Sequence, residues 1–152
     1  MRRTLILLAC GMLLPLFAQA GGPYQFYSIT PCRLVDTRGS TGINGGPILS
    51  SETIRSFAID VAPANCGIPS TAAAAALNFV IVSAQGGGHL TVWPRGLSMP
   101  VASTINFDPG EPAIANGAIV PLTTDSTANI SVWLGTGGPQ AHLVIDANGY
   151  FQ

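Results

Sequence analysis

Between clusters of glycine and proline the chain breaks into short runs that either alternate apolar and polar residues or are continuously β-branched. A period of two marks a half-buried strand and a short β-branched run marks a buried one. This pattern predicts strands at Gln25–Ile29, Cys32–Thr37, Thr53–Val61, Ala73–Val82, His89–Pro94, Ser103–Phe107, Ala118–Leu122, Asn129–Leu134 and His142–Ala147. Turn clusters separate them, among them Asn44-Gly45-Gly46-Pro47, Gln85-Gly86-Gly87-Gly88, Asp108-Pro109-Gly110, Thr124-Asp125-Ser126 and Gly135-Thr136-Gly137-Gly138-Pro139. Only Ala72 to Ala76 favours helix locally, and it runs straight into Leu-Asn-Phe-Val-Ile-Val, so it reads as strand. About nine short strands at this spacing predict an all-β, antiparallel β-sandwich, jelly-roll-like or Ig-like, with a closed β-barrel as the alternative.

Two stretches resemble each other. Asn78-Phe79-Val80-Ile81-Val82, a polar turn and His89-Leu90-Thr91-Val92-Trp93 form the first. Asn116-Gly117-Ala118-Ile119-Val120, a polar turn and Asn129-Ile130-Ser131-Val132-Trp133 form the second. The Asn-to-Trp spans are 93 − 78 = 15 and 133 − 116 = 17. Each reads as a hairpin, and the pair as pseudo-symmetric. Leu77-Asn78-Phe79 also echoes Ile105-Asn106-Phe107.

The N-terminus changes the setting. Arg2 and Arg3, an apolar run from Thr4 to Phe17 and the small-x-small Ala18-Gln19-Ala20 predict a secretory signal peptide over residues 1–20. The competing reading is a lipoprotein box ending at Cys10, but the apolar run continues past it. Cleavage after Ala20 leaves one domain, 21–152, with no transmembrane segment, in the extracellular space, the periplasm or on the cell surface. That mature chain has four arginines, no lysine and seven acids, a net charge of 4 − 7 = −3. So few cations cannot neutralise many phosphates, which argues against nucleic acid. With 9% charged residues, the surface carries little self-repulsion and suits contact with a partner protein or a second copy. Cleavage also removes Cys10 and leaves Cys32 and Cys66. In an exported chain two cysteines most often pair, the alternative being two separate buried thiols. If paired, they close a loop of 66 − 32 = 34 residues, worth about 3–4 kcal/mol by chain entropy.

The run Pro31-Cys32-Arg33-Leu34-Val35-Asp36-Thr37-Arg38, then Cys66-Gly67-Ile68-Pro69, Leu77-Asn78, Leu90-Thr91-Val92-Trp93-Pro94, Ser103-Thr104-Ile105-Asn106-Phe107, Ala115-Asn116, Ile119-Val120-Pro121-Leu122 and Ile145-Asp146-Ala147-Asn148-Gly149-Tyr150-Phe151 resembles an uncharacterised β-rich domain of exported bacterial proteins. That domain is often found beside cell-wall-acting or surface modules. The resemblance spans nearly all of the mature chain and implies a setting in the cell envelope. It implies no catalytic residue.

Leu34-Val35-Asp36-Thr37-Arg38-Gly39 comes close to the catalytic loop of aspartic proteases, and Val144-Ile145-Asp146-Ala147-Asn148-Gly149 is a partial second copy. Proteolysis needs a glycine after Asp-Thr so that two carboxylates can approach and share a proton. Arg38 stands there instead, and a cation holds a carboxylate ionised. The alternative is structural. A period of two puts Cys32, Leu34, Asp36 and Arg38 on one face, and Asp36 and Arg38 then pair at the edge of the core. Asp146 and Asn148, before Gly149, suit side-chain-to-backbone bonds at the end of a strand.

Other chemistry has less to stand on. His89 and His142 have no second ligand at metal spacing, so neither a metal nor a cofactor is expected. No Gly-x-Ser-x-Gly marks a nucleophile. Asn129-Ile130-Ser131 is a glycosylation sequon, relevant in a eukaryotic secretory pathway. Trp93 and Trp133 share a face with Thr91 and His89, and with Ser131 and Asn129, while Val92 and Val132 take the other face. Tryptophans on a polar face can stack on sugar rings, and core packing is the alternative. The expectation is a secreted, non-catalytic structural, adhesive or self-associating module, with a homo-oligomer or a cell-surface protein as partner. A carbohydrate-binding module using Trp93, Trp133, His89 and Asn129 on a polysaccharide is the alternative, and an aspartic-protease-like enzyme comes third.

Overall fold

A computed structural model describes residues 22–60, 66–124 and 127–152. The expected signal peptide with Cys10, the end of the third expected strand at Val61, and Asp125 and Ser126 of a turn lie outside the described residues. Nine strands form in chain order: β1 (Phe26–Asp36), β2 (Leu49–Ser50), β3 (Ile54–Phe57), β4 (Ala74–Val82), β5 (Gly88–Pro94), β6 (Ile105–Phe107), β7 (Ala113–Pro121), β8 (Ile130–Thr136) and β9 (Gln140–Phe151). Among the described residues there is no helix, and the alanine run at 74–76 is strand, as its apolar continuation requires.

One antiparallel sheet has the order β1-β9-β4-β7, with β2 pairing β9 beyond the end of β1; the other has the order β3-β8-β5-β6. The pairs β1–β9, β3–β8, β4–β7 and β5–β6 are nested. This is one long hairpin rolled over on itself, the jelly-roll form of sandwich. The register shows the roll directly. Ala74 faces Pro121 and Gly88 faces Phe107, and both sums, 74 + 121 and 88 + 107, equal 195. The ladder therefore continues unshifted as the two chain segments cross from one sheet to the other.

The core lies between the sheets. Alternation along β4 sends Ala75, Leu77, Phe79 and Ile81 inward, where they meet Leu90, Val92, Ile130, Val132 and Leu134 from the opposite sheet. Burying a chain of such side chains, each worth about 1.5–3 kcal/mol, is the main force holding the two sheets together.

The expected strands Gln25–Ile29 and Cys32–Thr37 are one continuous strand, β1, and β2 at Leu49–Ser50 is an addition to those expected. Two further expectations change. The resembling stretches are not hairpins: β4 and β5 lie in different sheets, as do β7 and β8. Their equivalent strands pair with each other instead. β4 pairs β7, with Asn78 opposite Gly117, and β5 pairs β8, with Val92 opposite Val132. Antiparallel pairing of equivalent strands in both sheets is what a local twofold produces, so the pseudo-symmetry relates two sheet-crossing arches. The polar turns lead each chain segment across the sandwich and not back along the same sheet. The second change is at the C-terminus. Asp146 sits in the middle of β9 and Asn148 is the extra residue of a bulge between Leu77↔Ala147 and Ala76↔Gly149. The strand continues because β1 and β4 flank it on both sides, and the bulge absorbs the Asn-Gly that suggested a turn.

Candidate functional site

The two aspartates of the protease-like motifs, Asp36 and Asp146, do come together, on the outer face of the five-stranded sheet. A register shift between Arg33 and Val35 breaks the alternation of β1, so Leu34 and Val35 are both buried while Arg33 and Asp36 point outward. This corrects the expected face, on which Cys32, Leu34, Asp36 and Arg38 shared one side. Arg33 Nε and Nη2 donate to Asp146 Oδ1 and Oδ2 at 2.8 and 3.2 Å, and Arg33 Nη1 lies 3.5 Å from Asp36 Oδ2. On its other side Asp36 accepts from Arg38 Nε and Nη2 at 2.8 and 2.7 Å and from the Arg38 backbone N–H at 3.1 Å. The Arg38 hydrogen bonds hold the Asp36 carboxyl at about 2, below its ordinary 3.8, and the neighbouring charges act in the same direction. Arg33 and Arg38 are raised, first by their hydrogen bonds to Asp146 and Asp36. Two cations and two anions thus alternate as Asp146–Arg33–Asp36–Arg38. A cation stands between the carboxylates, so they are not placed to share a proton.

This line of charge borders a shallow cleft of about 460 Å³ lined by Pro31, Cys32, Arg33, Asn78, Gly117, Asp146 and Asn148. Arg33, Asp146, Asn78 and Gly117 occupy one row across four neighbouring strands, since Arg33 faces Asp146, Asp146 faces Asn78 and Asn78 faces Gly117. Sequence reasoning missed the Arg33–Asp146 pair, which joins residues 113 apart. Nothing local carries that signal.

Cys32 and Cys66 form a disulfide with Cα atoms 5.8 Å apart, within the usual range for the bond. It ties β1 to the segment that leads into β4. Arg55 on β3 reaches into the 42–47 loop. Its guanidinium donates to the carbonyls of Pro47, Gly42, Gly45 and Gly46 at 2.6, 2.9, 2.5 and 3.1 Å and lies 4.7 Å above the Phe57 ring. Burial lowers its pKa. Asn44 completes the closure, donating to Ala58 O and accepting from Ala58 N–H.

The outer face of the four-stranded sheet holds the tryptophans, with Val92 and Val132 opposite in the core. The four residues grouped as a sugar platform do not share one exposed surface. Trp93 is only 5% exposed, because the turn after β5 folds back over it and its Nε1 donates to Leu97 O at 3.0 Å. Asn129 is fully buried: its Oδ1 accepts from Ile59 and Asp60 N–H at 2.7 and 3.2 Å, and its Nδ2 donates to Thr123 O at 2.9 Å. It stitches three segments together and, in the folded protein, offers nothing to a sugar or a glycosyl transfer. That leaves Trp133, half-buried, and His89, whose rings are 5.2 Å apart at 54°. A Cβ at Gly135 would run into both rings, so the glycine is what leaves room for them over the strand. His89 and His142 lie in different sheets, and among the described residues no group of three potential ligands could hold a metal.

A third region is apolar. Leu97 and Ile119, 64% and 63% exposed, line a cleft with Trp93, Pro100, Val120 and Pro121, and no charged residue lines it. Met99 and Val101 stand exposed in the same loop. No helix among the described residues is long and apolar enough to cross a membrane. Comparison of the chain with protein-family models and with curated proteins found no match.

Proposed function

We propose that this chain is a secreted, non-catalytic structural module of the cell envelope or extracellular space, working through protein contacts made by its surface. The apolar cleft carries the reading. Large exposed side chains gathered around an uncharged cleft mark an interaction surface more often than an accident of packing. The charge chain Asp146–Arg33–Asp36–Arg38 supports a structural part for the aspartates, since each carboxylate is held ionised by an arginine. The test is co-sedimentation of the mature protein with isolated cell envelopes, before and after polysaccharide-degrading treatment. Leu97→Ser with Val101→Ser should weaken binding at least tenfold and leave the melting temperature unchanged, because both side chains already face water. Undiminished binding by that variant would sink the reading.

Trp133 and His89 support a second reading, a carbohydrate-binding face smaller than the sequence suggested. Quenching of Trp133 by acrylamide, with relief on adding a polysaccharide and loss of the effect in Trp133→Leu, would favour it over the first.

A further inference from the structure

We propose that the free edge of β7 is a dimerisation edge, joining two copies of this chain through an antiparallel β7–β7 pair. This names a partner for the contact role proposed above and rests on that reading. β7 pairs only β4 among the described residues and closes one side of its sheet. Leu122 N–H donates to Ala73 O and Ser83 N–H to Pro112 O, which fixes the alternation: even-numbered residues of this stretch bond inward to β4. Ala113, Ala115, Gly117 and Ile119 therefore aim their N–H and C=O groups outward, along an exposed edge.

Natural sheets guard such edges with charges, bulges or shortness. The other edges here have those guards. β1 carries two register shifts and the charges of Arg33 and Asp36, and β2, β3 and β6 have two, four and three residues. β7 has nine residues, no charge, and no register shift against β4. Only Pro121, its last residue, lacks an N–H.

The edge is also complementary to itself. Pairing all nine residues of two antiparallel copies puts Gly117 on the twofold axis. Ile119 of one copy then lies opposite Ala115 of the other, so a large exposed side chain meets a small one. On the inner face Ile114 lies opposite Val120 and Asn116 opposite Ala118. No like charges meet, and the two sheets become one continuous sheet across the axis.

Light scattering of the mature protein should give twice the chain mass. Two variants remove the pairing without touching β4. Ala115→Pro deletes an outward N–H on an edge strand, where proline is tolerated. Gly117→Lys sets two ammonium groups face to face, and in the single chain a Cβ there meets only Leu77 O at 3.9 Å. Both should run at monomer mass with unchanged circular dichroism and melting. Gly117→Cys should cross-link on mild oxidation, because a hydrogen-bonded antiparallel pair holds Cα atoms about 5.5 Å apart; Ala113→Cys, opposite Pro121, should not. A wild-type monomer at every concentration, or a dimer that survives both Ala115→Pro and Gly117→Lys, overturns the proposal. If the monomeric wild type still binds envelopes through Leu97 and Val101, only the dimer fails. If that binding is lost in Ala115→Pro, the edge belongs to a strand of another protein and the second copy is excluded.

Discussion

The two long sides of this sandwich, where the edge of one sheet meets the edge of the other, are built in opposite ways. On the β1–β3 side Arg55 holds four carbonyls of the loop that follows β1, Asn44 and Ala58 bond both ways, and a disulfide fastens β1 to the segment that leads into β4. On the β6–β7 side, among the described residues, one side-chain bond runs from β7 to the end of the loop before β6, from Asn116 Nδ2 to Thr104 O at 2.6 Å, and β7 is long, uncharged and unshifted against β4. The difference teaches where covalent and polar reinforcement goes in a chain with so few charges. It is concentrated on the side that holds the charged motif, and the other side is left able to take another strand.

Breaking the stitched side should cost most. Replacing Cys32 and Cys66 with alanine reopens a 34-residue loop in the unfolded chain and should lower stability by about 3–4 kcal/mol, read as the shift in unfolding free energy in urea. A loss below about 1 kcal/mol would mean that the polar stitches alone hold this side. Arg55→Ala comes next. It leaves the carbonyls of the 42–47 loop without their charged donor and uncovers the Phe57 ring, and should cost about 1.5–3 kcal/mol by the same measurement. Hydrogen exchange should rise in the 42–47 loop before it rises in β4.

The open side should respond less. Asn116→Ala removes one bond at an exposed residue and should cost about 0.5–1.5 kcal/mol. If it cost as much as Arg55→Ala, the contrast between the two sides would collapse.

The smallest effect is the pH dependence of the charged motif. Asp36 is held at about 2 in the fold against an ordinary 3.8, so the unfolded chain binds its proton first as the solution acidifies. Its stabilisation is full above 3.8, shrinks as pH falls from there, and is gone below 2. Wild type should therefore melt above Asp36→Asn at neutral pH, and the two curves should converge below about pH 2. A gap that stayed constant with pH would show that the pair's charge contributes nothing.

The charged motif shows how far a local reading reaches. Asp36 and Arg38 are two residues apart, and their pairing could be expected from the motif alone. Arg33 and Asp146 could not be paired that way, because their contact depends on β1 lying beside β9 and on a register shift that turns Arg33 outward. The four-residue grouping around the tryptophans came apart for a related reason. Alternation correctly put Trp93 and Trp133 on the face opposite Val92 and Val132. It said nothing of the turn at Leu97 that folds over Trp93, nor of the three segments that converge on Asn129.

By itself the sequence determined that this protein is all-β and, within each regular strand, which side chains share a face. Leu77, Phe79, Ile81, Val92 and Val132 are inside because the side chains of a strand alternate, and that period belongs to each strand on its own. Which strands lie side by side was decided only in three dimensions. A strand that must bury one face is satisfied equally by a hairpin in its own sheet or by an arch to the facing one, and the polar turns after Val82 and Val120 permit both. The jelly-roll pairing, the outward turn of Arg33 and the open edge of β7 follow from the arch, because neighbours in a sheet are chosen by contacts between residues far apart in the chain.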